Sequence, residues 1–199
     1  MNMTIGVLAL QGELIEHIKM LAELGVDAVE VRKPEHLDDL DALIIPGGES
    51  TTIGKLARTY GLLDPLRSFT QQKPTWGTCA GLIFLAKRIG RDQPLVGAMD
   101  ITVERNAFGR QVDSFEVDIL IEGIGDEPFR AVFIRAPVIT HADEDKGVEV
   151  LAELPEKGIV AVRQGHLLGT AFHPELTADC RLHELFVRMV EAEKSTEGA

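Results

Sequence analysis

The sequence predicts an α/β protein with a mostly parallel central sheet, helices on both faces, and a mixed, antiparallel extension. Three observations carry this. Apolar runs of strand length alternate with helically spaced apolar residues through the first half of the chain. From Leu95 onward strand-like segments follow one another without helical spacing between them. An amphipathic helix then closes the chain. The 199 residues suit one three-layered domain, with the tail at 194–199 (KSTEGA) expected to be frayed.

The elements follow in order. Residues 4–10 (TIGVLAL) form a near-continuous apolar run, as a strand buried on both faces should. Gln11-Gly12 breaks it. Leu14, Ile15, Ile18, Leu21 and Ala22 then recur at helical spacing, and Gly25 ends that helix. Strands are predicted at 27–31 and 42–45, the latter closing at Pro46-Gly47-Gly48. Ser50 or Thr51 is the expected cap of a helix reaching Thr59, and another helix covers 62–70. A short strand at 74–76 precedes a helix over 80–87 (AGLIFLAK). Strand-like segments lie at 101–103, 115–121, 131–134, 148–151, 159–163 and 168–171, and the last helix covers about 178–193.

Composition narrows the function classes. The formal net charge of −12 makes binding to nucleic acid or an anionic membrane by bulk electrostatics unfavourable. The first residues lack a basic segment and a cleavage site, and no apolar stretch approaches the roughly 20 residues that span a bilayer. Cys79 and Cys180 have neither disulfide nor metal-ligand spacing, so a reducing, cytoplasmic setting is expected. Histidines and carboxylates lack ligand spacing, and no phosphate-binding glycine loop is present. Neither a metal nor a cofactor is expected.

The most informative segment is 74–86 (PTWGTCAGLIFLA). Gly77-x-Cys79-x-Gly81 between a strand and a helix has the pattern of a nucleophile elbow, with cysteine as nucleophile. Glycines two residues to either side let the backbone turn sharply without a side chain striking strand or helix. The helix N-terminus favours the thiolate, which attacks carbonyl carbon. Cysteine in apolar surroundings is also a common small core residue, so the elbow alone leaves both readings open.

A base decides between them. His173 follows an apolar run and precedes Pro174-Glu175. In extended backbone, residues i and i+2 point the same way, so Glu175 can orient the His173 imidazole toward a thiol. The other five histidines are assigned structural or surface roles: His17 and His183 in helices, His36 in a polar loop, His141 and His166 in turns. Acyl transfer also needs donors for the developing oxyanion. Gly47-Gly48 can present unscreened N–H groups, and the Ala80 N–H directly after the nucleophile is the second donor.

Gly77-Thr78-Cys79-Ala80-Gly81, Pro46-Gly47-Gly48-Glu49 and His173-Pro174-Glu175 together resemble the class I, triad-type glutamine amidotransferases. The segments PGGESTT (46–52), GTCAGLI (77–83), VERNAFGRQVDSF (103–115), FIRAP (133–137) and HPELT (173–177) narrow this to the glutaminase subunits of pyridoxal 5′-phosphate synthase. The resemblance spans residues 3–193 and implies the following. Cys79 attacks the side-chain amide of L-glutamine, His173 serves as base and then acid, and Glu175 orients it. A glutamyl thioester forms, ammonia leaves, and water releases glutamate. Gly47 and Ala80 form the oxyanion hole, and Gly47, Gly48, Glu49, Arg105, Ile134 and Arg135 contact glutamine. Arg105 suits the α-carboxylate and Glu49 the α-ammonium. Ammonia passes to a barrel-fold synthase subunit, a dodecamer decorated by glutaminase subunits, and hydrolysis is weak until the two dock. A glutaminase for another biosynthetic synthase, or a binding subunit without catalysis on the same fold, remains as an alternative.

Overall fold

The computed structural model describes residues 3–105 and 114–197. Positions 106–113, which include most of the family-like stretch after Arg105, lie outside the described residues. The first half contains β1 (Thr4–Leu8), α1 (Leu14–Glu23), β2 (Asp27–Val31), β3 (Ala42–Ile45), α2 (Ser50–Thr59), α3 (Leu63–Thr70), β4 (Thr75–Thr78) and α4 (Ala80–Leu85). The second contains β5 (Ala86–Arg88), β6 (Met99–Glu104), β7 (Ser114–Ile119), β8 (Phe129–Ile134), β9 (Val138–Ala142), β10 (Val148–Leu154), β11 (Gly158–Gln164), β12 (Leu167–Thr170) and α5 (Arg181–Glu197).

Among the described residues, ten strands form one sheet in the order β2-β1-β3-β4-β12-β11-β9-β6-β5, with β10 paired to β11. The run from β2 to β12 is parallel throughout. Beyond it β11, β9 and β6 pair antiparallel, and β7 with β8 makes a separate hairpin. This is the predicted mostly parallel sheet with a mixed extension. Every residue of β3, β4 and β12 is buried, as strands covered on both faces must be. Successive residues of β4 show the two covers. Trp76 packs on His17 of α1 and on His183 and Phe186 of α5, whereas Gly77 lies against Gly81 and Leu82 of α4. The sheet is therefore the middle of three layers.

Several boundaries differ from the sequence reading, most of them because of long-range pairing. The helix after Cys79 stops at Leu85, and 86–88 instead pairs with β6. Residues 138–142, including His141, are a strand rather than a turn, because β6 and β11 bind that segment from either side. Glu49, not Ser50 or Thr51, caps α2: its carboxylate accepts from the N–H groups of Thr51 (3.1 Å) and Thr52 (2.8 Å). The closing helix begins at Arg181 and is described as far as residue 197, and Lys194 Nζ donates to Asp41 Oδ1 at 2.7 Å.

Candidate active site

The strand registers bring the site together. Ile45 stands beside Gly77, and Thr78 beside Thr170, so 46–49, Cys79 and His173 all emerge at the carboxyl ends of adjacent parallel strands. Open α/β sheets bind ligands at such ends. They surround a cavity of about 460 Å³.

Cys79 occupies a backbone conformation that side chains rarely adopt (φ 49°, ψ −104°), fixed where its N–H donates to Thr170 O at 2.8 Å. A Cβ at Gly81 would strike the Ile45 carbonyl oxygen, and one at Gly77 the Gly81 carbonyl. The elbow therefore needs glycine at both positions. The α4 helix has only six residues and offers a short dipole; the charged neighbour of the sulfur is His173.

His173 Nδ1–H donates to Glu175 Oε1 at 2.7 Å. The two are brought together not by extended backbone, as the spacing suggested, but by a 3-10 turn at Pro174–Leu176. The His173 N–H donates to Val132 O of β8 at 2.8 Å and anchors the turn. Burial alone would depress the His173 pKa, but its bonds to Cys79 and Glu175 outweigh that and raise it to about 10. Cys79 and Glu175 thus both act on the one His173 ring, an arrangement that suits a nucleophile, a base and an orienter.

On the opposite side, Arg105 at the end of β6 donates from Nη2 to Glu49 Oε1 at 2.8 Å and from Nη1 to Thr51 Oγ1 at 3.2 Å. Burial would raise the Glu49 pKa, but hydrogen bonds from Thr52 and Thr51 bring it down to about 2. The two side chains assigned to glutamine's charges thus pair with one another here. Gly48 (φ 131°), Ala80, Ile134 and Arg135 also line the cavity, Arg135 with a strained φ of 41°. The Ile134 carbonyl lies 3.9 Å from Cys79 Sγ. Gly47 sits where a Cβ would come within 2.6 Å of His173 Cε1, so only glycine lets the loop close over the imidazole.

Sequence reasoning treated Gln11 only as a strand breaker. Its Oε1 accepts the Glu49 N–H at 2.8 Å, and it lines the cavity. The available signal was its place just past the first strand, at the same edge of the sheet.

The profile of the SNO glutamine amidotransferase family matches residues 7–192. The chain belongs to that family. Among this glutamine amidotransferase's relatives is the pyridoxal 5′-phosphate synthase subunit PdxT of Pelotomaculum thermopropionicum, 57% identical over 98% of this chain and 100% of that one. The PdxT subunit of a Roseiflexus species is 56% identical over 94% of this chain and 100% of that one. A crystal structure of a glutamine amidotransferase superposes with a TM-score of 0.88 at 54% identity, covering 94% of this chain and 98% of that one. The predicted family and fold are both borne out.

Proposed function

We propose that this glutamine amidotransferase hydrolyses L-glutamine to L-glutamate and ammonia as the glutaminase subunit of a pyridoxal 5′-phosphate synthase. The contact of Cys79 with His173, and of His173 with Glu175, carries the reading. Cys79 Sγ attacks the amide carbon while its proton resides on His173. The tetrahedral oxyanion is met by the N–H groups of Gly47 and Ala80. The His173 imidazolium gives its proton to the leaving ammonia, and the neutral imidazole then takes one from the water that cleaves the thioester. Glu175 holds the imidazole by Nδ1 throughout.

Glu49 and Arg105 receive the α-ammonium and α-carboxylate of glutamine by exchanging their mutual ion pair for the substrate's two charges, with Gly48, Ile134 and Arg135 completing the contacts. Ammonia freed in water would be protonated and lost as a nucleophile, so delivery to a docked synthase subunit fits the chemistry. The partner is proposed to be the barrel-fold subunit, assembled as a dodecamer carrying glutaminase subunits on its outside. A reducing cytoplasm suits two unpaired cysteines, Cys79 and Cys180. Glutamate release from glutamine, followed with and without the cognate synthase subunit, tests both parts. Activity that rises with the synthase and vanishes in Cys79→Ala is expected. Undiminished activity in Cys79→Ala overturns the chemistry, and activity indifferent to the synthase overturns the partner.

A further inference from the structure

Behind Glu175, on the side away from the cavity, lies a set of polar side chains that the glutaminase chemistry does not use. His17 of α1 and His183 of α5 are fully buried. His17 Nδ1 lies 2.9 Å from His183 Nε2. The other ring nitrogen of His17, Nε2, stands 3.5 Å from Glu175 Oε2 and 3.5 Å from Thr78 Oγ1. Trp76 walls the group, its ring centroid 5.8 Å from that of His17 and 4.8 Å from that of His183. Two buried atoms here have no hydrogen-bond partner among the described residues: Glu175 Oε2 and His183 Nδ1. The group is not a metal site, since no cluster of three or more His, Cys, Asp or Glu among the described residues is arranged to hold an ion.

The unpartnered atoms decide where the protons sit. Burial, with His183 and His173 nearby, holds His17 well below the usual histidine range, and burial takes His183 down to about 3. Both rings are neutral, so each carries one N–H. Suppose His17 donated from Nδ1 to His183. Then His183 would bury an Nδ1–H with no acceptor, and the His17 Nε2 lone pair would face a carboxylate oxygen. Both faults cost free energy in a dry interior. The reverse arrangement removes the second fault and leaves at His183 Nδ1 a bare lone pair in place of an unpaired N–H. His183 Nε2–H donates to His17 Nδ1, and His17 Nε2–H points at Glu175 Oε2. At 3.5 Å this is a charge–dipole contact rather than a hydrogen bond, but little solvent screens it.

We propose that His17, held in this tautomer by His183, is a positioning residue whose Nε2–H steadies the carboxylate that orients His173. The inference rests on the triad reading above. Without it, Glu175 is held through Oε1 alone, by His173; with it, Oε2 also faces a donor. A line therefore runs from Cys79 through His173, Glu175 and His17 to His183, joining elements far apart in the chain.

The test compares His17→Leu, which removes the donor, with His17→Gln, whose amide N–H reaches about where Nε2 does. Kinetics of the complex with the synthase subunit are read beside the downfield proton resonance of the His173–Glu175 hydrogen bond. In His17→Leu, kcat is expected to fall about tenfold or more with KM within about twofold, and the resonance to move or broaden; His17→Gln restores both. An unchanged kcat in His17→Leu overturns the proposal, as does an equal loss in both variants with the resonance intact, which marks packing alone. Nitrogen-15 histidine spectra of the unaltered protein test it without any variant: Nδ1 of His17 is expected bare and Nε2 protonated, and the opposite tautomer overturns it. Cys79→Ala separates the two layers. If that variant is inactive while His17→Leu keeps full activity, only the positioning role falls; if it stays active, the triad falls too.

Discussion

The two walls of the cavity differ in kind. On one, Cys79 and His173 are each 6% exposed and Glu175 4%, rooted at the ends of β4 and β12 in the middle of the sheet. There His173 is hydrogen-bonded to Glu175 and stands beside Cys79. On the other wall the Glu49 and Arg105 side chains are 46% and 21% exposed and are bound to one another. Glu49 is further engaged with the N-terminus of α2 through Thr51 and Thr52. Bond making is prepared in advance on the first wall. On the second, the proposed mode of substrate binding exchanges one ion pair for two, in partial contact with water. Rate should therefore depend on the first wall, and affinity on the second.

The largest effects are expected where the first wall is cut. Glu175→Ala leaves His173 without an orienter, and kcat for glutamate release is expected to drop by about 10³–10⁴. KM should stay close to its original value. A drop of less than about tenfold would mean that the buried wall is held without Glu175. The same wall predicts a pH profile. Because His173 is raised to about 10, the imidazolium that protonates departing ammonia persists through neutral pH. A plot of kcat against pH is expected to hold level until near that value and decline above it. An alkaline limb near the ordinary histidine pKa would show that the Cys79–His173 contact does not persist in solution.

The second wall should answer in KM. Arg105→Ala removes a charged donor from the carboxylate end of the substrate, which is expected to raise KM about 10- to 100-fold. With kcat nearly constant, this is loss of uniform binding. A fall in kcat with KM unchanged would erase the distinction between the walls.

The first wall was the legible one. Gly77, Cys79 and Gly81 announce a strand-to-helix elbow through local spacing, and His173 and Glu175 are separated by a single proline. Local patterns of this kind survive in a linear sequence because one tight turn needs all its residues close together. What escaped notice depends on register and packing between distant segments. His17 and His183 sit on ordinary amphipathic helices, and only their packing against Trp76 on one face of the sheet brings Nδ1 of the first within 2.9 Å of Nε2 of the second. Residues 138–142 carry too little apolar alternation to announce a strand, yet two neighbours supply its ladder. Glu49 was recognised for its charge but not as a cap, since Ser50 and Thr51 are the residue types that usually cap helices. The role of Gln11 depends on a loop 38 residues away.

The smallest effect concerns Glu49, where fold and binding share one carboxylate. Burial would raise its pKa, but the hydrogen bonds from Thr52 and Thr51 lower it to about 2. In an unfolded chain a glutamate titrates near about 4.3. A group depressed on folding stabilises the fold fully above the unfolded value, and its contribution fades as pH falls through the folded one. Glu49→Gln removes the charge while keeping most of the shape. Urea midpoints of the two proteins are expected to differ most near neutral pH and to converge between about pH 4.3 and about pH 2. The gap should be modest, because nearly half of this side chain faces water. A gap that stays constant with pH would assign the cap to geometry rather than charge. Glu49 would then be free to give its charge to a substrate ammonium without loosening α2, and the exchange on the second wall would cost the fold nothing.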